Sequence, residues 1–312
     1  MHPARLTSVR DVTRTVRRLT LQLEPTPPTF PPFAFRPGQW ADFALPDPKS
    51  PIGGYSFVSA PRELPKIEFL VQRERLDESK KTTMTSWIHS EQCKPGVVVG
   101  LRAGGSWILP CGGPAADEDA TRKTSVRNKT TTATASGDQL PEVDPQTTDS
   151  VSDVLFVAAG IGVTPFLSCF RELEELPHTR MDMEREKAST KATIRYHFFF
   201  VVRDDDDAKI FGPEDTSALQ ALKRTGTLAS YELFQTGTEK RRPTAADIYL
   251  GTSRKRFFQD KAEQRSSCSS SLRVFLCGPP EFSLSIANQL KNEFGVTDVF
   301  YENWWNPNHM VH

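Results

Sequence analysis

Residues 154–168 read VLFVAAGIGVTPFLS. Residues 154–158 are an apolar run of the length of a fully buried parallel strand. Gly160, Ile161 and Gly162 follow at once, then Val163, Thr164 and Pro165, so the order predicts a strand, a tight glycine turn and a helix. Pro165 stands where a first-turn proline belongs, and Phe166, Leu167 and Phe170 give the helix an apolar face. Glycine lets the backbone turn sharply and lets a ligand approach the free N–H groups of a helix N-terminus, whose partial positive charge suits a pyrophosphate. Taken alone, such a turn also occurs in α/β folds that bind no nucleotide.

A second turn of the same kind lies near the end of the chain. Leu276-Cys277-Gly278-Pro279-Pro280 follows an apolar strand at residues 272–276 and precedes a helical pattern carried by Phe282, Ile286 and Leu290. Two strand-to-helix turns in one sheet place both loops at the carboxyl ends of the strands, where open α/β sheets bind ligands.

Together these motifs resemble the ferredoxin reductase-like flavoprotein family, whose NAD(P) domain opens with a GxGxTP turn and ends with a CGPP turn. Upstream, Arg36-Pro37-Gly38-Gln39-Trp40 is similar to the family's barrel-strand signature. Gly54-Tyr55-Ser56-Phe57 is similar to its flavin-binding R-x-Y-[ST] signature, with Gly53 where the arginine would stand. This variant, the Trp87-Ile88-His89 helix and the ending Tyr301-Glu302-Asn303-Trp304-Trp305 are most similar to the oxidoreductase NAD-binding domain-containing proteins. The resemblance implies an N-terminal antiparallel β-barrel of FAD-binding type, followed by a Rossmann-like parallel α/β NAD-binding domain. It places Gly160, Ile161, Gly162, Val163, Thr164 and Pro165 along the dinucleotide, and Cys277, Gly278 and Pro279 beside the nicotinamide. Tyr55, Ser56 and Phe57 fall on the flavin, and Trp304 or Trp305 on the face that receives the nicotinamide; a pair of core or interface tryptophans is the alternative.

The first domain is expected over residues 1–111. Short strands at residues 15–23, 36–45, 55–59, 66–73 and 97–102, punctuated by Gly and Pro, argue for a small antiparallel barrel. The resemblance puts the first barrel strand at residues 15–23. The arginine-rich opening, residues 1–18, leaves a mitochondrial presequence as the other reading. Residues 82–86 open a helix whose N-terminus, in the family, holds the flavin pyrophosphate, with Thr85 and Ser86 as hydroxyl contacts or as helix caps. The missing arginine removes a charge-assisted hydrogen bond of about 1.5–3 kcal/mol, so weak flavin binding is expected. Lys80 and Lys81 supply that charge or are solvated loop lysines.

Residues 112–150 are rich in Thr, Ser, Asp, Gly and Pro and lack aromatics, which predicts a disordered low-complexity insert. The NAD(P)-binding domain follows over residues 151–312, interrupted by a charged insert at 178–191. Its second strand, residues 193–202, ends in Arg203-Asp204-Asp205-Asp206-Asp207. In the family this corner meets the adenosine ribose, where acids accept from a 2′-OH and repel a 2′-phosphate, so NADH is favoured over NADPH. Arg203 could still pair with a 2′-phosphate, and Asp204 is also a helix cap by pattern.

Composition sets outer limits. With 39 basic and 39 acidic residues in 312, no net field favours nucleic acid or an anionic membrane, and no apolar stretch approaches a membrane span. The five cysteines (Cys93, Cys111, Cys169, Cys268, Cys277) show no CxxC or zinc spacing, so no metal is expected and reduced thiols in a reducing, cytoplasmic compartment are favoured. The resulting expectation is a flavin-dependent oxidoreductase in which NADH delivers hydride to bound FAD and electrons pass to an acceptor, protein or small molecule, that the sequence does not identify. Ser56 and Cys277 are its expected catalytic residues, the first bonding the flavin N5 edge and the second ordering the nicotinamide. The alternative is a non-enzymatic redox sensor or assembly module that keeps the NAD turn and has lost productive flavin binding.

Overall fold

The structure, a computed structural model, describes residues 1–47, 49–74, 83–111, 151–174, 194–250 and 271–301. The inserts at 112–150 and 178–191, Lys80, Lys81, Cys268, Trp304 and Trp305 lie outside these residues.

The N-terminal unit is built from β1 (His2–Asp11), β2 (Val16–Leu23), β3 (Trp40–Ala44), β4 (Gly53–Ser56), β5 (Lys66–Gln72) and β6 (Val98–Gly104), with a short helix α1 (Met84–Ile88). The strands form an antiparallel sheet in the order β4-β3-β6-β1-β2-β5. A bridge between Phe57 and Phe69 joins the two ends, so the sheet closes on itself as a barrel. Closure removes the unpaired edges that an open sheet would expose. The alternation of β5 is that of a barrel wall: Ile67, Phe69 and Val71 point into the barrel core with Leu19, Leu21, Phe43 and Phe57, while Leu70 joins a different core on the outside.

One expectation is corrected here. The strand at residues 15–23 is the second strand of the barrel, not the first; His2–Asp11 precedes it and pairs with both β2 and β6. The alternation of Ala4 and Leu6 into the core is diluted by arginines on the outer face, which gives this opening its presequence-like composition.

The second unit is a five-stranded parallel sheet in the order β11-β10-β7-β8-β9, made of β7 (Val151–Ala159), β8 (Arg195–Val202), β9 (Leu228–Gln235), β10 (Ser271–Cys277) and β11 (Val299–Tyr301). Helices α2 (Thr164–Glu174) and α3 (Pro213–Thr225) cover one face, and α4 (Ala245–Leu250) and α5 (Pro280–Phe294) the other. Helix α3 has sharp sequence stops that the sequence reading passed over, Gly212-Pro213 at its start and Gly226 at φ 79° at its end. Among the described residues no helix is long and apolar enough to cross a membrane.

The two units share one hydrophobic core. Val16, Val58, Leu70 and Leu109 of the barrel side pack with Val163, Phe166 and Phe170 of the sheet side. Cys111 and Cys169 are joined by a disulfide, with Cα atoms 5.5 Å apart across a sequence separation of 58. This corrects the expectation of reduced thiols for that pair. No CxxC spacing announces it, because folding alone brings the end of the barrel segment onto α2.

Candidate functional site

The glycine turn is built as the sequence predicts. Strand β7 ends at Ala159, Gly160–Val163 form a single 3-10 turn, and α2 begins at Thr164. Gly160 has φ +54° and nothing within 4 Å of where a Cβ would stand, so it holds a left-handed conformation beside open space. At Gly162 a Cβ would come 2.7 Å from Gly278 N and against the Cys277 carbonyl. Gly278 packs as tightly, its own Cβ position lying 2.8 Å from Ala159 Cβ. The two turns that the sequence places at the carboxyl ends of β7 and β10 are therefore in direct contact.

Within that pair of turns the residues divide by exposure. Val163 is fully buried in the shared core, and Pro165 is also buried. Both side chains shape and pack the helix start. Ile161 is half-buried, and Thr164 Oγ1 donates 3.0 Å to the Ile161 carbonyl, closing the turn internally. Cys277 is buried, and Pro279 is the exposed N-cap position of α5, with no side chain capping the helix.

On the barrel, Ser56 is half-buried, lies opposite Trp40, and its hydroxyl makes no hydrogen bond to the described residues. Tyr55 folds back over Gly53: a Cβ at position 53 would lie 2.6 Å from Tyr55 Oη and 2.9 Å from Met84 Cβ. Glycine at 53 is thus what makes room for this tyrosine. Tyr55 Oη and Thr85 Oγ1 share a 3.0 Å hydrogen bond, and burial pushes the phenol pKa up to about 12, so the hydroxyl is neutral. The Phe57 ring is fully buried in the barrel, stacked on Phe35 with centroids 3.9 Å apart, so it offers no side-chain surface to a cofactor.

At the start of α1, Thr83 is the cap, and its hydroxyl accepts from Ser86 N at 3.0 Å while Ser86 Oγ donates to Thr83 O. Ser86 is therefore spent on capping and Thr85 on Tyr55. Glu74 accepts from Thr83 Oγ1 at 3.1 Å, which puts a carboxylate beside this helix start. The residues present fit the ring end of a flavin, through the open Ser56 hydroxyl. At the diphosphate end they supply no described arginine or lysine bonded to the Thr83–Ser86 turn, and an acid stands there.

At the end of β8, Asp204 caps a short helical turn (Asp205–Ala208), accepting from Asp206 N at 3.0 Å and Asp207 N at 3.1 Å. Its other oxygen takes Arg203 and, from the turn between β1 and β2, Arg14. Arg14 also pairs with Asp206 at 3.1 Å. Asp204, Asp206 and Asp207 are thus met by three cations, Arg14, Arg203 and Lys209, while Asp205 accepts from Gln235. The expected adenosine corner is one charge less negative than its local sequence, because Arg14 comes to it from the barrel.

Several polar residues here escaped the sequence reading. Arg18 (β2), Glu68 (β5), Arg171 (α2) and Asp215 (α3) form a buried ring between the domains. Arg18 Nη1 meets Glu68 at 3.0 Å, Arg171 Nη2 meets Glu68 at 2.9 Å, and Arg171 Nη2 meets Asp215 at 2.7 Å. A contact from Arg18 Nη2 to Asp215 closes the ring. Burial alone would raise the Glu68 pKa; Arg171, Lys66 and Arg18 outweigh it and hold the carboxyl at about 2. At the amino ends of the strands, away from both turns, Asp153, His197 and Ser230 make a second buried chain, with His197 Nε2 3.1 Å from Asp153 and Nδ1 2.9 Å from Ser230.

Comparison with known proteins agrees with this architecture. Residues 151–266 match the family model described as the ferric reductase NAD binding domain. Oxidoreductase NAD-binding domain-containing protein 1 of Danio rerio is 24% identical over 306 residues, covering 97% of this chain and 91% of that protein. The Bos taurus protein of that name is 23% identical over 283 residues, covering 88% of this chain and 72% of its own length. Among solved structures, ferredoxin-NADP+ reductase from Plasmodium falciparum with 2′P-AMP superposes with a TM-score of 0.57 at 13% identity, covering 96% of this chain and 94% of that one. The flavohem-like FAD/NAD binding domain of nitric oxide dioxygenase from Vibrio cholerae gives a TM-score of 0.55 at 14% identity, covering 96% and 97%. The chain therefore has the two-domain, ferredoxin reductase-like fold, and the family resemblance drawn from its motifs holds.

Proposed function

We propose that the protein is an NAD(P)H-dependent flavin oxidoreductase, with NADH the favoured hydride donor and electrons passing on to a separate protein or small molecule. The observation that carries the reading is the contact of the two carboxyl-end turns, Gly162 on Cys277-Gly278, beside the open space at Gly160. Two glycine turns this close offer backbone N–H groups and no side-chain bulk, which is what a dinucleotide diphosphate needs.

A flavin, when bound, supplies the hydride-accepting ring. The chain's part is positioning. Ser56 Oγ, free of protein partners among the described residues, donates toward the edge of that ring. Cys277, buried and held by its neighbours, orders the nicotinamide without attacking it. Trp304 and Trp305 would cover the ring face, and Arg203 and Asp204, with Arg14, would receive the adenosine end. The balance of four aspartates against three cations leaves the preference for NADH a modest one.

A second reading has its own observation. Glu74 at the start of α1, and Gly53 in place of an arginine, weaken the diphosphate end of the flavin site. A protein with these features could bind dinucleotide as a sensor or assembly module and carry no flavin. One experiment separates the two: the visible spectrum of the protein with added FAD, before and after anaerobic NADH or NADPH. A bound flavin band that bleaches, faster with NADH, supports the reductase; NADH binding with neither retained flavin nor bleaching sinks it in favour of the sensor.

A further inference from the structure

We propose that the buried ring of Arg18, Glu68, Arg171 and Asp215 is a positioning device that fixes the angle between the two domains and, through it, the separation of the hydride donor and acceptor in the cleft. The inference rests on the hydride-transfer reading above for its catalytic consequence, though not for its geometric one.

Each domain contributes one guanidinium and one carboxylate: Arg18 and Glu68 from the barrel, Arg171 and Asp215 from the sheet. All four side chains are no more than 5% exposed. The charges cancel, and the ring extends outward through Glu63 to Arg171 at 3.2 Å and Lys66 to Glu68 at 3.0 Å. Backbone groups complete it: Arg18 Nη2 donates to the Ile210 carbonyl at 3.2 Å, and Gly212 N donates to Asp215 at 2.7 Å. A Cβ on Gly212 would sit 3.1 Å from the Arg18 guanidinium carbon, so the start of α3 is shaped to admit this arginine.

The apolar contacts around the ring, such as Val16, Val58 and Leu70 against Val163, hold the domains together without specifying direction. An apolar cluster of the same volume in place of the ring would hold the faces at least as well. Planar guanidinium forks on carboxylates add direction and spacing. The ring is also one short step from each half of the cleft. Arg171 is on α2, which begins directly after the glycine turn. Glu68 O accepts from Val58 N at 2.9 Å, two residues beyond Ser56. A rotation of the sheet domain about this point would move Gly160 relative to Ser56, and a misplacement of about 1 Å between reacting groups can cost 100-fold in rate.

The test compares wild type, Arg18→Met, Asp215→Leu and the double variant, each loaded with FAD. Thermal midpoints, flavin bleaching by anaerobic NADH in stopped flow and NADH KM are measured. Spin-label distances are taken between cysteines introduced at exposed Arg10 and Lys223, with Cys268→Ser. Each single variant strands a buried charge and should lower the midpoint. The double variant should recover most of it, yet bleach at least tenfold more slowly with KM within twofold and show a label-distance distribution at least twice as wide. A double variant with wild-type width and rate overturns the proposal and leaves the ring a stabilising element only. If wild type bleaches no flavin, the reductase reading has failed, and the distance distributions alone decide the ring. Should the double variant not fold, Arg171→Lys, which keeps the charge and loses the fork, is held to the same width and rate criteria.

Discussion

Ser168 Oγ, on α2, donates a 2.8 Å hydrogen bond to the carbonyl oxygen of Ser59, three residues after Ser56 on the barrel chain. Both serines are fully buried. Ser59 in turn uses its own hydroxyl to accept from Glu68 N at 3.1 Å. The helix that begins at the glycine turn is thus tied directly to the segment that carries the expected flavin contact. Replacing Ser168 with Ala leaves a buried carbonyl without this partner and should cost about 1–3 kcal/mol in stability. Urea unfolding of Ser168→Ala with an unchanged midpoint would show that the bond contributes nothing.

The two glycines of the first turn should respond differently to alanine. At Gly162 the added methyl meets Gly278 N at 2.7 Å and the Cys277 carbonyl, neither of which can swing aside as a side chain would, so the turns must separate. Gly162→Ala should weaken NADH binding at least tenfold. Gly160→Ala meets open space and carries only the strain of φ +54°, about 1–2 kcal/mol. Titration of NADH by fluorescence on both variants, with circular dichroism to check folding, tests the order; equal losses would contradict it.

Glu68 gives the fold an acid-sensitive joint. Its folded-state pKa of about 2 lies below the ordinary 4.5. A group whose pKa is lowered on folding stabilises the native state fully above its unfolded value and loses that contribution as pH falls toward the folded one. Stability should therefore decline between about pH 4.5 and pH 2, and Glu68→Gln should flatten that part of the profile while lowering stability at pH 7. Thermal midpoints collected across this range are the measurement.

Arg14 links cofactor choice to the barrel. It pairs with Asp204 and Asp206 from 190 residues away, and its removal leaves the adenosine corner more negative. Arg14→Ala should raise KM for NADPH several-fold more than KM for NADH. A proportional change in both would mean that Arg14 does not sense the 2′ position.

The Cys111–Cys169 bond closes a loop across a separation of 58 residues. On a chain-entropy basis such a crosslink stabilises the fold by about 4 kcal/mol. Cys169→Ser, or a reductant applied to wild type, should lower the melting temperature by several degrees. Non-reducing peptide mapping should show the linked pair, and two free thiols at these positions would remove the effect.

The sequence by itself determined the order of the two units and most of their elements, though not the opening strand His2–Asp11. An apolar run, two glycines and a proline are local instructions, so β7, the turn at Gly160 and helix α2 follow from residues 154–168. The same holds for Cys277-Gly278 after β10 and for the alternation of Ile67, Phe69 and Val71 into the barrel. Only the tertiary structure decided which outer faces are covered. Arg18 and Glu68 sit on strand positions that point away from the barrel core, and period-2 alternation reads such positions as solvent-facing. They are buried because α2 and α3 of the other domain lie over them, and Arg18 reaches Asp215 across 197 residues. Phe57 shows the converse, since a motif names a neighbourhood while the pleat decides that its ring turns inward between Phe35 and Phe69. Tyr55 on Thr85, Arg14 on Asp204 and the disulfide belong to the same class. Each depends on where distant backbone comes to rest, and local pattern carries no record of that.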